Sequence, residues 1–224
     1  MAKLIWDEIG ERFYETGTSK GVLYPVKDKE QGGFTGGVVW NGLASVTESP
    51  SGAESNPVYA DNIKYLDLTS AEDLGAGIEA FYYPDEFAEC DGSAEIAPGI
   101  MITQQTRKQF GLSYQTVLGN DEENNEHGYK LHLLYNAKAS PTEKAYGTIN
   151  ESPEPITFSW ELTTTPVNVP GHKPTALVVI DSTKVPAEFL TALEEILYGT
   201  EEKEPRLPYP AEVIALAEST SAQG

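Results

Sequence analysis

The residues best suited to chemistry are four carboxylates in the stretch P-D-E-F-A-E-C-D-G, residues 84–92: Asp85, Glu86, Glu89 and Asp91. Carboxylate oxygens can hold a calcium ion, and a pair of carboxylates can serve as general acid and base. The ligand spacing of an EF-hand is absent. A solvated turn is therefore the simplest interpretation, and a cation site or a hydrolase using Glu86 and Asp91 are the alternatives.

The remaining reactive side chains are isolated. Cys90 is the single cysteine, which excludes an intrachain disulfide and a C-x-x-C metal cluster, and a lone cysteine is typically a small packed side chain. His132 has no second histidine or cysteine at ligand spacing, so we expect a half-exposed strand residue there. The sequence has no G-x-G-x-x-G, phosphate-binding loop, H-E-x-x-H or G-x-S-x-G. We expect no catalytic, metal or cofactor site, and no enzyme.

The overall charge excludes a further class of function. Among 224 residues, 15 are basic and 35 acidic, which gives a net charge of -20. Nucleic-acid binding depends on Lys and Arg neutralising phosphates, so a DNA- or RNA-binding role is not expected. No apolar run approaches the roughly 18 residues of a membrane span, and residues 1–10 are too acidic for a signal peptide. We expect a soluble protein made in the cytoplasm.

One stretch, Ile156 to Val167, organises the predicted fold. Its side chains alternate between an apolar face (Ile156, Phe158, Trp160 and Leu162) and a polar face (Thr157, Ser159, Glu161 and Thr163). Strand side chains point alternately to opposite faces, so this pattern predicts a strand with a core side and a wet side. Pro155 and Pro166 mark its ends. A strand of this kind is typical of an antiparallel sheet with solvent on one side.

Other stretches predict further strands around it. They are Val22–Pro25, Val38–Glu48, Lys64–Leu68, Ala76–Tyr83, Arg107–Thr116, Tyr129–Tyr135 and Ala176–Asp181. Arg107–Thr116 and Tyr129–Tyr135 form a hairpin whose tip, Leu118–His127, is acidic. The fold class that follows is mainly β, an antiparallel sandwich or partly open barrel.

The spacing of apolar residues changes from a strand pattern to a helical pattern near the end of the chain. This spacing predicts one flanking helix near 186–198. Pro186 is suited to the first turn of this helix, and Gly199 is suited to a left-handed cap at its C-terminal end. The proline-rich segment that follows favours an extended arm that could end in one or two helical turns, and Ser219–Gly224 is expected to be disordered. Before the first long strand, Met1–Tyr24 predicts a short helix or an irregular arm. Ser49–Asn62 is longer than most connections and predicts an interaction loop.

Five stretches of the chain are distinctive in combination. They are W-N-G-L-A-S-V-T-E-S-P-S-G-A-E (40–54), Y-A-D-N-I-K-Y-L (59–66), Y-P-D-E-F-A-E-C-D-G (83–92), H-G-Y-K-L-H-L-L-Y (127–135) and I-T-F-S-W-E-L-T-T-T-P-V (156–167). These stretches resemble the major tail proteins, or tail tube proteins, of long-tailed bacteriophages and prophages. The resemblance extends from about Phe34 to about Leu216. It divides the chain into an N-terminal arm with the first strand (1–33), a tube domain (34–199) and a C-terminal arm (200–224).

The resemblance implies a structural role. Tail tube proteins form a hexameric ring whose inner strands join into a continuous barrel, and the rings stack into a hollow tube that conducts DNA into the host. The implied partners are other copies of the chain and the tape measure, tail tip and tail terminator proteins, with DNA passing through without specific binding. A virion protein of a non-contractile tail, without cofactor or metal, is the expectation.

The resemblance also assigns two sets of residues. Thr157, Ser159, Glu161 and Thr163 are expected to line the lumen, where carboxylates repel phosphate; the opposing placement is the tube exterior. Ser49, Pro50, Glu54, Pro57 and Tyr59 are expected to bridge subunits or rings. A carbohydrate-binding β-sandwich remains an alternative, because twelve tyrosines and three tryptophans could stack on sugars.

Overall fold

The computed structural model describes residues 4–26, 33–149, 151 and 153–221. Its strands are β1 (Tyr14–Pro25), β2 (Val38–Val39), β3 (Leu43–Gly52), β4 (Ser55–Ala60), β5 (Ile63–Thr69), β6 (Glu72–Ala80), β7 (Ala94–Ala97), β8 (Ile100–Ile102), β9 (Phe110–Asn120), β10 (Asn124–Ala139), β11 (Phe158–Thr163) and β12 (Leu177–Asp181). The helices are α1 (Ala187–Tyr198) and α2 (Pro210–Ser221), with a single 3-10 turn at Asp85–Phe87. The predicted mainly β class is confirmed.

The strands form two antiparallel layers that share β10. The helix-side sheet has the order β2-β1-β9-β10-β12, and the arm-side sheet has the order β10-β11-β6-β3. The path does not close into a barrel, because β3 ends the order beside β6 and β2 ends it beside β1. The strands at the two ends of this order, β2 and β3, follow one another along the chain. The result is the partly open sandwich that the alternating strands predict.

Two apolar cores lie on the two faces of the helix-side sheet. The inter-sheet core includes Trp40, Ile78, Phe87, Phe110, Leu112 and Trp160. The helix core includes Tyr24, Phe34, Leu131, Tyr135, Leu193 and Leu197. The fold is thus three layers, with the helix-side sheet buried on both faces.

A β-bulge lets β10 belong to both sheets. Leu133 and Tyr135 face the helices, whereas Ala137 faces the inter-sheet core, although all three are odd-numbered. Strand periodicity alone would place them on one face. The register slips between Leu134 and Ala137, and Asn136 has a φ of +47°. This extra residue turns the strand over, so the faces of β10 exchange at Asn136.

The central strand follows its predicted alternation over the residues that form β11. Trp160 and Leu162 are buried, Phe158 is half-buried, and Ser159, Glu161 and Thr163 are exposed. The prediction is wrong for Ile156, which lies before the strand begins and is 37% exposed. The predicted strand therefore starts two residues later than its pattern suggests.

The predicted helix is confirmed as α1. Pro186 is its N-cap residue and lies before the first turn. Gly199 follows its last residue with a φ of +79° and a ψ of 173°, so the predicted left-handed helical cap is not formed. The prediction of an extended C-terminal arm is wrong for the last part of the segment. Residues 200–209 contain no regular element, but α2 is a full helix whose Val213 packs into the helix core. The disorder predicted for Ser219–Gly224 is wrong up to residue 221, and residues 222–224 lie outside the described part.

Two further predictions change at the N-terminal half. The strand predicted at Val22–Pro25 is the end of the longer β1, and residues 4–13 before it are irregular. Ser49–Asn62 is not a loop: it completes β3, contains all of β4 and ends in a tight turn. Residues 1–3 of the predicted arm, and residues 27–32, lie outside the described residues.

Candidate assembly surfaces

The clearest feature outside the body of the fold is a hairpin arm, residues 47–73, in which every residue except Ala60 is exposed. β3 and β6 continue into β4 and β5 through the backbone bonds Ala53 N to Ala71 O (3.2 Å) and Ser70 N to Glu54 O (3.1 Å). From Gly52 to the tip the ribbon extends roughly 30 Å, at about 3.3 Å per residue. The arm therefore has solvent on both faces.

The arm is built by two local conformations. Gly52 and Ala53 have φ values of +84° and +53°, and a Cβ added at Gly52 would lie 2.2 Å from the carbonyl oxygen of Ala71. This position therefore requires glycine. At the tip, Asp61 and Asn62 have φ values of +49° and +63°, the positive pair that a two-residue hairpin turn requires.

The two faces of the arm differ in chemistry. On one face, Val58 is paired with Leu66 and Leu68 lies two residues further along; these side chains are 40%, 41% and 56% exposed. On the other face, Asp67 accepts hydrogen bonds from Ser55 (2.5 Å) and Lys64 (2.5 Å). The bond from Lys64, and then that from Ser55, holds the pKa of Asp67 below its usual value. Exposed apolar side chains grouped in this way are typical of surfaces that bind another molecule.

Exposed apolar side chains also occur on two shorter segments. The N-terminal segment carries Leu4, Ile5, Trp6, Ile9 and Phe13, and the β7-β8 hairpin carries Ile96, Ile100 and Met101. The N-terminal segment is fixed at the predicted acidic tip of the β9-β10 hairpin, where Asp121 accepts from the backbone N–H groups of Gly10 (3.0 Å) and Arg12 (3.3 Å). Its apolar side chains are thus presented outward from an ordered segment.

A second surface is the outer face of the arm-side sheet. Three rows cross β3, β6 and β11 in register: Ser45–Glu79–Ser159, Thr47–Gly77–Glu161 and Ser49–Gly75–Thr163. All nine positions are polar or glycine. The sequence-predicted Ser159, Glu161 and Thr163 therefore share one face with Ser49, and Thr157 is exposed just before β11. The carboxylates of Glu79 and Glu161 make this face acidic.

The arm-side sheet ends in β3, whose outer edge lies near β1 but forms no backbone ladder with it. β3 ends the strand order, and within the part of the chain that the structure describes no named strand pairs with its other side. At β11, by contrast, residues beyond β10 continue the pairing: Ser140 N donates to Glu161 O (2.7 Å) and Thr142 Oγ1 to Ser159 O (2.7 Å). An unpaired strand edge is a template for pairing with a second chain.

The predicted bridging residues are distributed along this edge and the arm. Ser49 and Pro50 lie in β3, Glu54 lies at the joint, and Pro57 and Tyr59 lie in β4, with Tyr59 68% exposed. Sequence reasoning missed the arm as a hairpin. The signal available was the Asp61-Asn62 pair between two stretches of β-forming residues.

The carboxylate cluster has a structural role. Asp91 is buried, and its Oδ1 accepts from Arg107 Nη1 (3.2 Å) and Trp160 Nε1 (3.0 Å); Lys144 bonds its Oδ2. Burial alone would lower the pKa of Lys144, but the bond and charge of Asp91 outweigh it and raise that pKa. The predicted solvated turn is therefore wrong for Asp91, although Glu86 is exposed.

The other candidate groups are also packed. Burial raises the pKa of Cys90 to about 12, so its thiol is a poor nucleophile. His132, expected to be half-exposed, is buried at 7% exposure. Within the described residues no group of three or more His, Cys, Asp and Glu side chains could hold a metal ion, and no helix among them has the length and apolarity to cross a membrane.

The aromatic residues bear on the carbohydrate-binding alternative. Trp40 and Trp160 are 2% and 1% exposed and lie in the inter-sheet core, their ring centroids 6.0 Å apart. Phe87 packs against both, at 4.7 Å and 5.0 Å. These rings build the core and are not available to stack on a sugar, whereas Trp6 and Tyr82 are exposed.

Comparison with known proteins does not show a family for this chain. No family model matches the chain, and no curated protein matches it. A chain from the cryo-EM structure of an extracellular contractile injection system, the PVC sheath-tube complex in its extended state, is similar at 11% identity. The alignment covers 79% of this chain and 93% of that chain, with a TM-score of 0.31.

Proposed function

We propose that this chain is the tube subunit of a phage-type tail. Copies assemble into hexameric rings, the rings stack into a hollow tube, and the tube conducts DNA into the host. The proposal is supported by the stretches at 40–54, 59–66, 83–92, 127–135 and 156–167 that resemble tail tube proteins. It places the protein in the virion, made in the bacterial cytoplasm, with a structural and not an enzymatic role.

The observation that carries the proposal is the hairpin arm with its apolar face. Val58, Leu66 and Leu68 are about half exposed in the single chain. Burying each of them fully at a contact contributes about 1 kcal/mol to the free energy of association. The unpaired edge of β3 next to the arm supports the same conclusion, because ring formation would pair it with a neighbouring copy. The exposed N-terminal and β7-β8 segments offer further contacts between copies or rings.

The outer face of the arm-side sheet is the proposed lumen wall. Its rows contain small polar side chains, glycines and the carboxylates of Glu79 and Glu161. Such a wall repels the phosphates of passing DNA and offers them no Lys or Arg in these rows. The tape measure protein during assembly, and the tail tip and terminator proteins at the tube ends, are the other proposed partners.

The proposal is tested by sedimentation velocity of the full chain over increasing concentration. Wild-type protein is expected to form species much larger than a monomer, whereas Leu68→Asp is expected to stay monomeric because a charge would be buried at the contact. Circular dichroism should show the same fold for both.

The matched control is Thr69→Asp, which adds the same charge to the next residue along β5, on the polar face of the arm. It is expected to associate like the wild type. Equal loss of association in both variants, or none in either, would contradict an assembly contact on the apolar face.

A further inference from the structure

A polar cluster around one buried side chain, at one end of the inter-sheet core, carries a further inference, which does not depend on the proposed assembly. At its centre is His132 of β10, 7% exposed. Its ring lies flat on the ring of Tyr114 in β9, with centroids 4.5 Å apart and planes within 10°. Glu48 of β3 and Glu15 of β1 approach different nitrogens of the His132 ring. The cluster therefore connects the two sheets.

On one side of the ring, His132 Nδ1 lies 3.0 Å from Glu48 Oε1. Tyr114 donates its hydroxyl to the same oxygen at 2.6 Å. Burial, and then the bond to Glu48, raise the pKa of Tyr114 well above its ordinary value, so the phenol keeps its proton. Glu48 is therefore the acceptor, and Nδ1 must carry hydrogen to bond it.

On the other side, His132 Nε2 lies 3.0 Å from Thr116 Oγ1 and 3.7 Å from Glu15 Oε1. Thr116 donates its hydroxyl to Glu15 at 2.5 Å, and Lys130 donates to the second oxygen of Glu15 at 2.5 Å. Burial alone would raise the pKa of Glu15, but the bonds from Lys130 and Thr116 outweigh it and hold that pKa below its usual value. Glu15 is thus an ionised acceptor.

The hydrogens available at these two contacts determine the protonation state of the His132 ring. The single hydroxyl hydrogen of Thr116 is used on Glu15, so Thr116 can only accept from Nε2. Nδ1 must donate to Glu48 as well. A neutral imidazole has one N–H and would leave one nitrogen lone pair facing an oxygen lone pair at 3.0 Å. Only the doubly protonated ring satisfies both contacts.

We propose that His132 is held as an imidazolium that clamps β3, and with it the base of the hairpin arm, to the helix-side sheet. Glu48 lies in the last part of β3 before the arm's joint at Gly52. Loss of the proton removes the positive charge of the ring beside the Glu48 carboxylate and so weakens the contact between β10 and β3. The clamp is therefore weakened as the pH rises, and β3 loosens.

The first test is NMR of the imidazole nitrogens of the full chain at neutral pH, with His132→Gln used to assign the signal. We expect both nitrogens of His132 to be protonated. One bare nitrogen on His132 at neutral pH would overturn the inference.

The second test is amide hydrogen exchange of β3 and β6, with α1 as the internal reference for the intrinsic pH effect. Protection of β3 relative to α1 should fall about tenfold between about pH 6 and about pH 8.5. Glu48→Gln, which keeps an acceptor for Tyr114 but removes the charge, should abolish this pH dependence.

The matched control is Glu54→Gln, which removes a charge from the exposed joint of the arm. This variant should retain the wild-type pH dependence. A pH dependence that is the same in Glu48→Gln as in the wild type would contradict a clamp at His132.

Discussion

Asp91 is the residue that fixes the segment after β6 to the body of the fold. Replacing it with alanine would leave the guanidinium of Arg107 and the ammonium of Lys144 without their carboxylate and the Trp160 N–H without an acceptor. Both cations are partly exposed, at 21% and 23%, so water offsets part of the loss. We expect Asp91→Ala to lower the free energy of unfolding by about 3 kcal/mol, measured by urea denaturation.

Asp85→Ala is the control for this prediction, because Asp85 is an exposed carboxylate of the same cluster. Its effect should stay within about 0.5 kcal/mol. A similar small effect for Asp91→Ala would show that its ion pairs are not structural.

The role of Asp91 could not be predicted from the sequence. Its partners lie 16, 53 and 69 residues away along the chain, and no local pattern marks them. His132 is a similar case, since its carboxylates come from β1 and β3. The packed state of Cys90 was predictable, because a lone cysteine far from any partner is typically buried.

At the scale of the elements, the bulge at Asn136 governs how one strand serves two sheets. Its φ of +47° is costly for residues other than glycine, asparagine and aspartate, and its Nδ2 also donates to Thr165 O at 3.1 Å. Asn136→Ala should therefore lose about 1–2 kcal/mol of stability in a denaturant titration. Asn136→Gly, which relieves the backbone strain, should lose less. If alanine were tolerated better than glycine, the strain account would be wrong.

The elements that sequence reasoning found are those with one buried face. β11 and α1 pack one side against a core, and burial imposes the alternation or helical spacing that made them visible. The arm strands β4 and β5 are exposed on both faces apart from Ala60, so burial imposes no pattern on them. α2 was obscured by its prolines, although Pro210 is its first residue, where proline is favoured.

At the scale of the whole molecule, the net charge of -20 gives a prediction about DNA. If the outer face of the arm-side sheet lines a lumen, tubes of Glu161→Lys should retain duplex DNA at low salt and release it as salt rises, whereas wild-type tubes should not retain it. Retention is measured by co-sedimentation of labelled DNA.

Glu188→Lys is the matched control, because it makes the same change of charge on α1, on the other side of the fold. Tubes of this variant should retain less DNA inside than those of Glu161→Lys, with their bound DNA open to nuclease. Equal, nuclease-sensitive retention by both variants would place Glu161 on the tube exterior.

The most direct measurement is electron microscopy of the full chain at high concentration, with and without a tail tip complex as a nucleus. The proposal predicts hollow tubes built from stacked rings, and six-fold symmetry in end views. Particles the size of one subunit under all conditions, including with the nucleus present, would contradict a tube-forming role for this protein.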